Sequence, residues 1–285
     1  LPEGVLNVVT GFGEEAGAPL AAHPHVDKVA FTGSTEVGKI ITRAAAGNLK
    51  KVSLELGGKS PTIVFPDADV DAAIAGAASA IFFNHGQCCC AGSRLLAHEK
   101  IFDQVTEGIA KIASNIKVGP GMDTTSEMGP LVSNEQYEKV SSYIEAGKSE
   151  GGEIVAGGKY DNSSGGHFVH PTVFAKTNTD MSIVKEEIFG PVLCAQPFSD
   201  QDLDKIANAA NNTSFGLAAS VWSKDISTAH KLASKIRAGT VWVNCHNIFD
   251  ASLPFGGYKE SGWGREMGHE VLHAYTELKA VTVNL

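Results

Sequence analysis

The chain has 285 residues, 43% of them hydrophobic, with 32 Asp and Glu against 23 Lys and Arg and a formal net charge of −9. That length and apolarity suit one large or two ordinary domains with a substantial core. An acidic balance without a dense Lys/Arg cluster excludes a phosphate-backbone footprint, so no nucleic-acid partner is expected. The longest near-apolar run, AAIAGAASAIFF at 72–83, is well short of the roughly 18 residues a bilayer span needs, so no membrane partner is expected either.

The chain opens on LPEGVLNVVTGFG, with neither an initiator Met nor a signal peptide, and more chain is expected ahead of it. GVLNVVT (4–10) reads as a buried strand, and GFGEEAG turns into the helical stretch APLAAH. DKVAFTG (27–33) reads as a second strand. The segment after it sets Val37, Ile40, Ile41, Ala44 and Ala45 at helical spacing behind Ser34, a predicted N-cap. KKVSLELGG reads as a third strand, with Val52, Leu54 and Leu56 on one face and Ser53 and Glu55 on the other. The first 58 residues thus carry a β-α-β-α-β rhythm, and the predicted fold class is α/β with a doubly wound parallel sheet.

The rhythm restarts after GGKSP. TIVF is a strand, and a helix from Asp67 places Val70, Ile74, Ala77 and Ile81 on one stripe before the thiol-rich loop FFNHGQCCCAGSR. Helices are predicted near 100–116 and 134–148, followed by the loop GGKYDNSSGGH. The strands TVFA, PVLCAQPF, AASVW and GTVWVN come next, with helices near 200–212 and 225–238 between them. The end, LKAVTVNL, is strand-like and suited to pairing with another chain.

Four features could carry chemistry. The turns bearing Gly11, Gly13 and Gly17, and Gly33 with Ser34, each join a strand to a helix N-terminus, where free N–H groups favour an anion such as pyrophosphate; GxGxxxG, however, is not the dinucleotide fingerprint. Three of the five cysteines are contiguous, Cys88, Cys89 and Cys90, and no CxxC pair exists. Neither a disulfide framework nor a zinc ribbon is therefore indicated, and a reducing, cytoplasmic setting is expected. A thiol of ordinary pKa is only about 3% ionised at neutral pH, so a reactive site must lower that pKa; the bent Gly86-Gln87 turn could supply N–H groups for a thiolate or an oxyanion. The spacing does not choose among the three thiols, and His85 beside them lacks zinc-site spacing. Glu55 stands at the C-terminal end of its strand, where ligands collect in open α/β sheets, and is a general-base candidate beside its plainer reading as a solvated or ion-paired residue. HEVLH, His269 to His273, matches the HExxH zinc motif, but Thr276 and Lys279 stand where the longer metzincin pattern needs Gly and His.

FTGSTEVG, LELGGKSP, FFNHGQCCCAGSR, KEEIFGPV and LPFGGYKESGWGRE, in that order, resemble the NAD(P)-dependent aldehyde dehydrogenase superfamily along residues 1–285. The resemblance implies part of a coenzyme-binding domain (1–57), an α/β catalytic domain (58–258), a return segment (259–275) and an oligomerisation strand (276–285). It implies Cys89 as nucleophile and Glu55 as general base. Gly13, Gly17, Phe31, Gly33, Ser34 and Val37 would line the coenzyme, Leu56 and Gly57 would lie by the nicotinamide, and Glu187 would contact a ribose, with Phe189 and Phe255 nearby. No metal is implied, and His269 and His273 become structural. The implied reaction is oxidation of a small aldehyde to a carboxylic acid through a cysteine thioester, with hydride passing to NAD, or alternatively NADP, in a homo-oligomer (tetramer or dimer). The family's front segment, with its oxyanion-hole asparagine and adenosine-ribose contacts, has no match here. The chain is therefore expected to be the C-terminal part of such an enzyme, inactive alone. The two endings further resemble bacterial aromatic, phenylacetaldehyde-type dehydrogenases. The alternatives are a non-catalytic binding or structural protein on the same scaffold and an HExxH zinc hydrolase.

Overall fold

A computed structural model describes residues 1–163, 165–199 and 202–285. It is built on two main sheets. The smaller begins after helix α1 (Ala18–Ala22) with strand β1 (Lys28–Thr32), helix α2 (Thr35–Ala45) and strand β2 (Lys51–Glu55). β1 and β2 are parallel, from Lys28 opposite Lys51 to Thr32 opposite Glu55. The Ser34 hydroxyl accepts from Val37 N–H at 3.2 Å and caps α2 as the sequence predicts.

The larger sheet is seeded by strand β3 (Pro61–Val64). Helix α3 (Val70–Phe82) follows, capped by the Asp69 carboxylate, and then β4 (Arg94–His98), α4 (Phe102–Asn115) and α5 (Asn134–Ser149). Next come β5 (Glu153–Ala156), the small hairpin β6 (Tyr160–Asp161) and β7 (Phe168–Val169), and β8 (Thr172–Ala175). Helix α6 (Ser182–Lys185), β9 (Val192–Phe198), α7 (Leu203–Asn211), β10 (Phe215–Gly216), β11 (Ala218–Trp222), α8 (Ile226–Ala233) and β12 (Thr240–Val243) complete it. The chain then returns through β13 (Tyr258–Lys259), β14 (Gly262–Trp263) and α9 (Glu270–Tyr275). The strand order is β12-β11-β3-β4-β9-β8-β5, parallel except where β5 meets β8. β14 runs antiparallel to β2 and so ties the return segment to the small sheet.

Parallel strands covered on both faces read as continuous apolar runs. In this sheet α3 and α4 pack Ala73, Ala77, Ile81, Val105 and Ile109 on one face against Leu95 and Leu193. On the other face α7 and α8 bring Ile206, Ala229 and Leu232 onto Ile63, Leu96 and Val221. Full burial of each Val, Leu or Ile side chain among these contributes about 1.5–3 kcal/mol.

Several expectations need correction. Residues 4–10 form no strand: Val5, Val8 and Val9 are exposed, and the ladder of β1 is occupied only by β2. An apolar run without a neighbour for its N–H and C=O groups gains nothing from extending. Two of the three strands expected in the first 58 residues therefore form. Arg94–His98, assigned no element from sequence, is the central strand β4. The helix expected over 225–238 stops at Ala233, because Asn211 takes the backbone beyond it: its amide donates to Lys235 O at 3.0 Å and its carbonyl accepts Arg237 N–H at 2.7 Å. Positions 200 and 201 of the expected helix 200–212, and Ser164 of the loop GGKYDNSSGGH, lie outside the described residues. Residues 276–285 are exposed and form no strand; Lys51 anchors their start through Glu277 at 2.7 Å and Thr276 O at 3.0 Å.

Candidate active site

The LELGGKSP segment leaves the small sheet, passes between the two sheets and enters β3, so its backbone fixes the site. Leu54 and Leu56 join Ala21 and Ile41 in a small core, and Glu55 turns to the opposite face. That face is covered too. Glu55 is only 5% exposed, which overturns its solvated reading. Three bonds hold the segment: Gly33 N–H donates to Glu55 O at 3.0 Å, Leu56 N–H to Ser261 O at 3.0 Å, and Ser261 Oγ–H to Gly57 O at 2.6 Å. Ser261 also accepts from Gly216 N–H at 2.9 Å, which couples the return segment to β10.

The cysteine turn folds onto this segment. Asn84, His85 and Gly86 all take positive φ, an uncommon run for non-glycine residues, and bonds on both sides hold it in place. Asn84 donates to Gln87 O at 2.8 Å, His85 Nε2 accepts Gly129 N–H at 2.9 Å, and Gln87 Oε1 accepts Val132 N–H at 3.1 Å. Glycine is required at Gly86, whose missing side chain admits the Gly190 carbonyl, and at Gly58, whose missing side chain admits the Cys89 carbonyl. The Cys89 peptide thus lies directly on the segment that carries Glu55; contact with Cys88 and burial raise the Cys89 thiol most, and the Glu55 charge adds to that rise last.

All five cysteines are free; Cys90 is buried, while Cys88 and Cys89 are partly open. Cys88 Sγ lies 3.5 Å from Cys90 Sγ, and Cys90 Sγ–H points to Asn247 Oδ1 at 3.3 Å. The three thiols titrate as one cluster. Contact with Cys89 first and Cys90 second lowers the Cys88 thiol, while contact with Cys88, together with burial, raises Cys89 and Cys90. One proton therefore leaves the cluster readily and the other two are held. Burial first, and the Glu266 charge second, push Glu55 up to about 8, with Arg265 opposing; its Oε2 is buried without a partner. An orphaned carboxylate oxygen beside a thiol cluster is a poised acceptor for a proton from water or from a thiol.

The other candidate residues fall into two groups. Gly13, Gly17, Phe31 and Val37 line one cavity of about 570 Å³, together with Leu20, Ile40 and Ile41. The turn of Gly33 and Ser34 follows β1 directly, and the missing side chain of Gly33 makes room for the Phe31 ring. Gly57 and Glu187 belong instead to the thiol side, while the Leu56 side chain stays in the small core and packs against Gly38 of α2. The Glu187 carboxylate sits where a side chain on Gly57 would be and accepts Gly58 N–H at 2.9 Å; burial raises its pKa and that bond opposes the rise. Phe255 packs against the cysteines with Leu217 and Trp242. Phe189 is half-buried at positive φ, and its carbonyl accepts from Gln136 at 2.8 Å. Three residues went unassigned in the sequence reading: Glu266 beside Glu55, His246 behind the cysteine turn, and Lys59. Lys59 is fully buried, its Nζ lacks a hydrogen-bond partner, and its pKa is lowered by burial to about 8. Glu266 lies within a quoted motif, whereas nothing in the spacing marks His246.

His269 and His273 flank and occupy the six-residue α9, and among the described residues no group of three or more His, Cys, Asp or Glu is arranged to hold a metal. No helix among them is long and apolar enough to cross a membrane.

The family model described as the aldehyde dehydrogenase family matches residues 1–281. The chain is 50% identical over 285 residues to the mitochondrial aldehyde dehydrogenase of Homo sapiens, covering 100% of this chain and 54% of that protein. It is 50% identical over 284 residues to the phenylacetaldehyde dehydrogenase of Pseudomonas fluorescens, covering 99% and 56%. The NAD+ complex of an aldehyde dehydrogenase from Bacillus cereus superposes with a TM-score of 0.93 at 52% identity over 96% of this chain and 55% of that one. The chain spans about half the length of the curated relatives it matches.

Proposed function

The chain belongs to the aldehyde dehydrogenase family, and on that premise we propose that it supplies the covalent machinery for oxidation of an aldehyde to a carboxylic acid with NAD. The observation that carries this reading is the Cys89 peptide seated on the segment that ends in the buried, orphaned Glu55 carboxylate. In this reading the thiolate charge, which the cluster places on Cys88, passes to Cys89 as the Cys89 proton moves to Cys88 across their shared hydrogen bond; the Cys89 thiolate attacks the carbonyl carbon, a C–S bond forms, and the oxygen becomes an oxyanion held by N–H groups of the turn. A bound nicotinamide supplies the hydride acceptor for that carbon. Glu55 then takes a proton from water, whose oxygen attacks the thioester carbon; the C–S bond breaks and the thiolate returns.

The coenzyme fit is judged on this chain's own residues. The 570 Å³ cavity falls in the size range of ligand clefts. The positions a side chain would occupy on Gly13 and Gly17 are open, and Phe31, Val37 and Ile40 offer apolar walls suited to a nucleoside. We assign 1–57 to the coenzyme part, 58–258 to the catalytic part, 259–275 to the return and 276–285 to an oligomer contact; the exposed apolar Leu278, Val281 and Val283 support the last assignment. NAD is preferred over NADP because the Bacillus cereus relative is an NAD+ complex. An aromatic aldehyde is the proposed substrate class. The Trp242, Phe249 and Phe255 rings contact one another in sequence at 5.5 and 5.4 Å beside the thiols, and the Pseudomonas fluorescens relative acts on phenylacetaldehyde. The five free thiols support a cytoplasmic setting.

The test is protection from alkylation. Limiting iodoacetamide labels Cys89, and millimolar phenylacetaldehyde slows that labelling in proportion to its concentration, because the thiohemiacetal occupies the sulfur. Labelling of Cys89 that proceeds at an unchanged rate with saturating aldehyde present would remove the nucleophile assignment.

A further inference from the structure

His246 follows β12 and is 9% exposed, with its ring on Trp242 at 4.6 Å between centroids. Its Nε2 lies 2.9 Å from the Cys90 carbonyl and its Nδ1 lies 3.0 Å from Ser220 Oγ. A carbonyl oxygen only accepts, so Nε2 carries the proton. Burial lowers the imidazole pKa and favours the neutral ring, which leaves Nδ1 as an acceptor for the Ser220 hydroxyl at 3.0 Å, nearer than that hydroxyl's other acceptor, Thr62 Oγ1 at 3.4 Å. Ser220 in turn accepts from Trp222 Nε1–H at 3.3 Å. A chain of donors therefore runs from the core indole of Trp222, through Ser220 and His246, to the backbone of the cysteine turn, and fixes one tautomer.

The turn is gripped from two sides. The Cys89 carbonyl presses on Gly58, and the next carbonyl, that of Cys90, is bound by His246. The first anchor holds the Cys89–Cys90 peptide and the second the Cys90–Ala91 peptide, so together they fix the backbone on both sides of Cys90 and, through the first peptide, the backbone that carries Cys89. The adjacent Asn247 accepts from the buried Cys90 thiol through its Oδ1, which leaves Cys88 and Cys89 as the partly open thiols of the turn.

We propose that His246 is a positioning residue for the nucleophile: by holding the Cys90 carbonyl it presents Cys89, rather than Cys88 or Cys90, to an electrophile in the cleft. The inference rests on the reading of Cys89 as the reacting thiol. It assigns His246 no contact with substrate or coenzyme.

The experiment is limiting iodoacetamide labelling of the full chain at pH 8, with label located among the three cysteines by fragmentation of the tryptic peptide 60–94 and the melting temperature recorded in parallel. His246→Phe keeps ring volume and the Trp242 contact but removes both hydrogen bonds. Loss of a neutral hydrogen bond corresponds to about a threefold to tenfold change. The Cys89 rate in H246F is expected to fall by about that factor, with label spreading to Cys88, while His246→Gln, which keeps a donor, stays within about twofold of the parent. If H246F does not fold, Ser220→Ala carries the same prediction, with about a twofold fall, because it removes the Nδ1 partner that steadies the ring holding the Cys90 carbonyl. A lower melting temperature with unchanged Cys89 rate and distribution overturns the proposal, as does an H246Q that behaves like H246F. Label on another cysteine in the parent chain would instead overturn the nucleophile reading, and the parent-to-variant comparison would still decide His246.

Discussion

In the seven-stranded sheet every residue of β3, β4, β8 and β11 is buried, whereas the three-stranded sheet buries Ala21, Ile41, Leu54 and Leu56 and leaves Leu20, Val37 and Ile40 open on the cavity assigned to coenzyme. Both regions are built from the same strand-helix-strand repeat with comparable apolar spacing. The difference lies in what covers each helix: α7 and α8 press fully onto the large sheet, while one flank of α2 faces a cleft. Apolar periodicity therefore states which face a helix offers and leaves open whether protein or ligand takes it. The thiol turn and Glu55 stand where the closed region meets the open one.

The sharpest way to break the comparison is to truncate one residue of each region. Leu95→Ala, in the central strand, is expected to cost about 3–4 kcal/mol in urea denaturation, and Ile40→Ala, at 53% exposure, to stay within about 0.5 kcal/mol. Equal costs would show that the open flank is a core after all. The next effect comes from Glu55. Its folded pKa is raised from 4.5 to about 8, so the protonated acid is accommodated at low pH and stability is lost as pH rises through that window. Glu55→Gln removes the loss, and its stability relative to the parent is expected to improve by about 3 kcal/mol between those two pH values, read from urea midpoints across the range. A smaller effect sharpens the account of the open region itself. Ser34→Ala deletes the cap of α2 and is expected to cost about 1 kcal/mol, whereas Asp69→Ala at α3, a helix clamped on its sheet, tests whether tertiary packing masks an equal loss. Thermal or urea unfolding of the two variants decides between them.

How far the sequence could be read follows the same division. Helices with a strong apolar stripe and a polar cap, such as α3 behind Asp69 and α5 behind Ser133, were legible within a few residues because local chemistry sets their ends. Val5 to Val9 read as a strand and form none, because β pairing is a tertiary fact: a Val-rich run forms a strand only where a neighbour offers a ladder. β4 is unmarked for another reason: RLLAH carries no β-branched residue, whereas β3, β8 and β11, equally buried, carry Val, Ile or Thr. In the site, Gly58 and Gly86 were quoted in motifs, but their function as gaps that admit the Cys89 and Gly190 carbonyls became visible only with the fold. The same holds for Glu55: its strand end was legible, and its burial was not, because the covering residues come from the return segment some 200 positions later.

The account depends on Cys89 and Glu55 sharing one cleft, and the pH dependence of Cys89 alkylation in the parent chain and in E55Q tests that most directly. Because the ionised Glu55 carboxylate opposes a thiolate at Cys89, removing its charge is expected to move the alkylation midpoint to lower pH, with Cys89 still the labelled residue. A midpoint that stays in place in E55Q would mean that the carboxylate does not face the sulfur, and the proposed chemistry would lose its base.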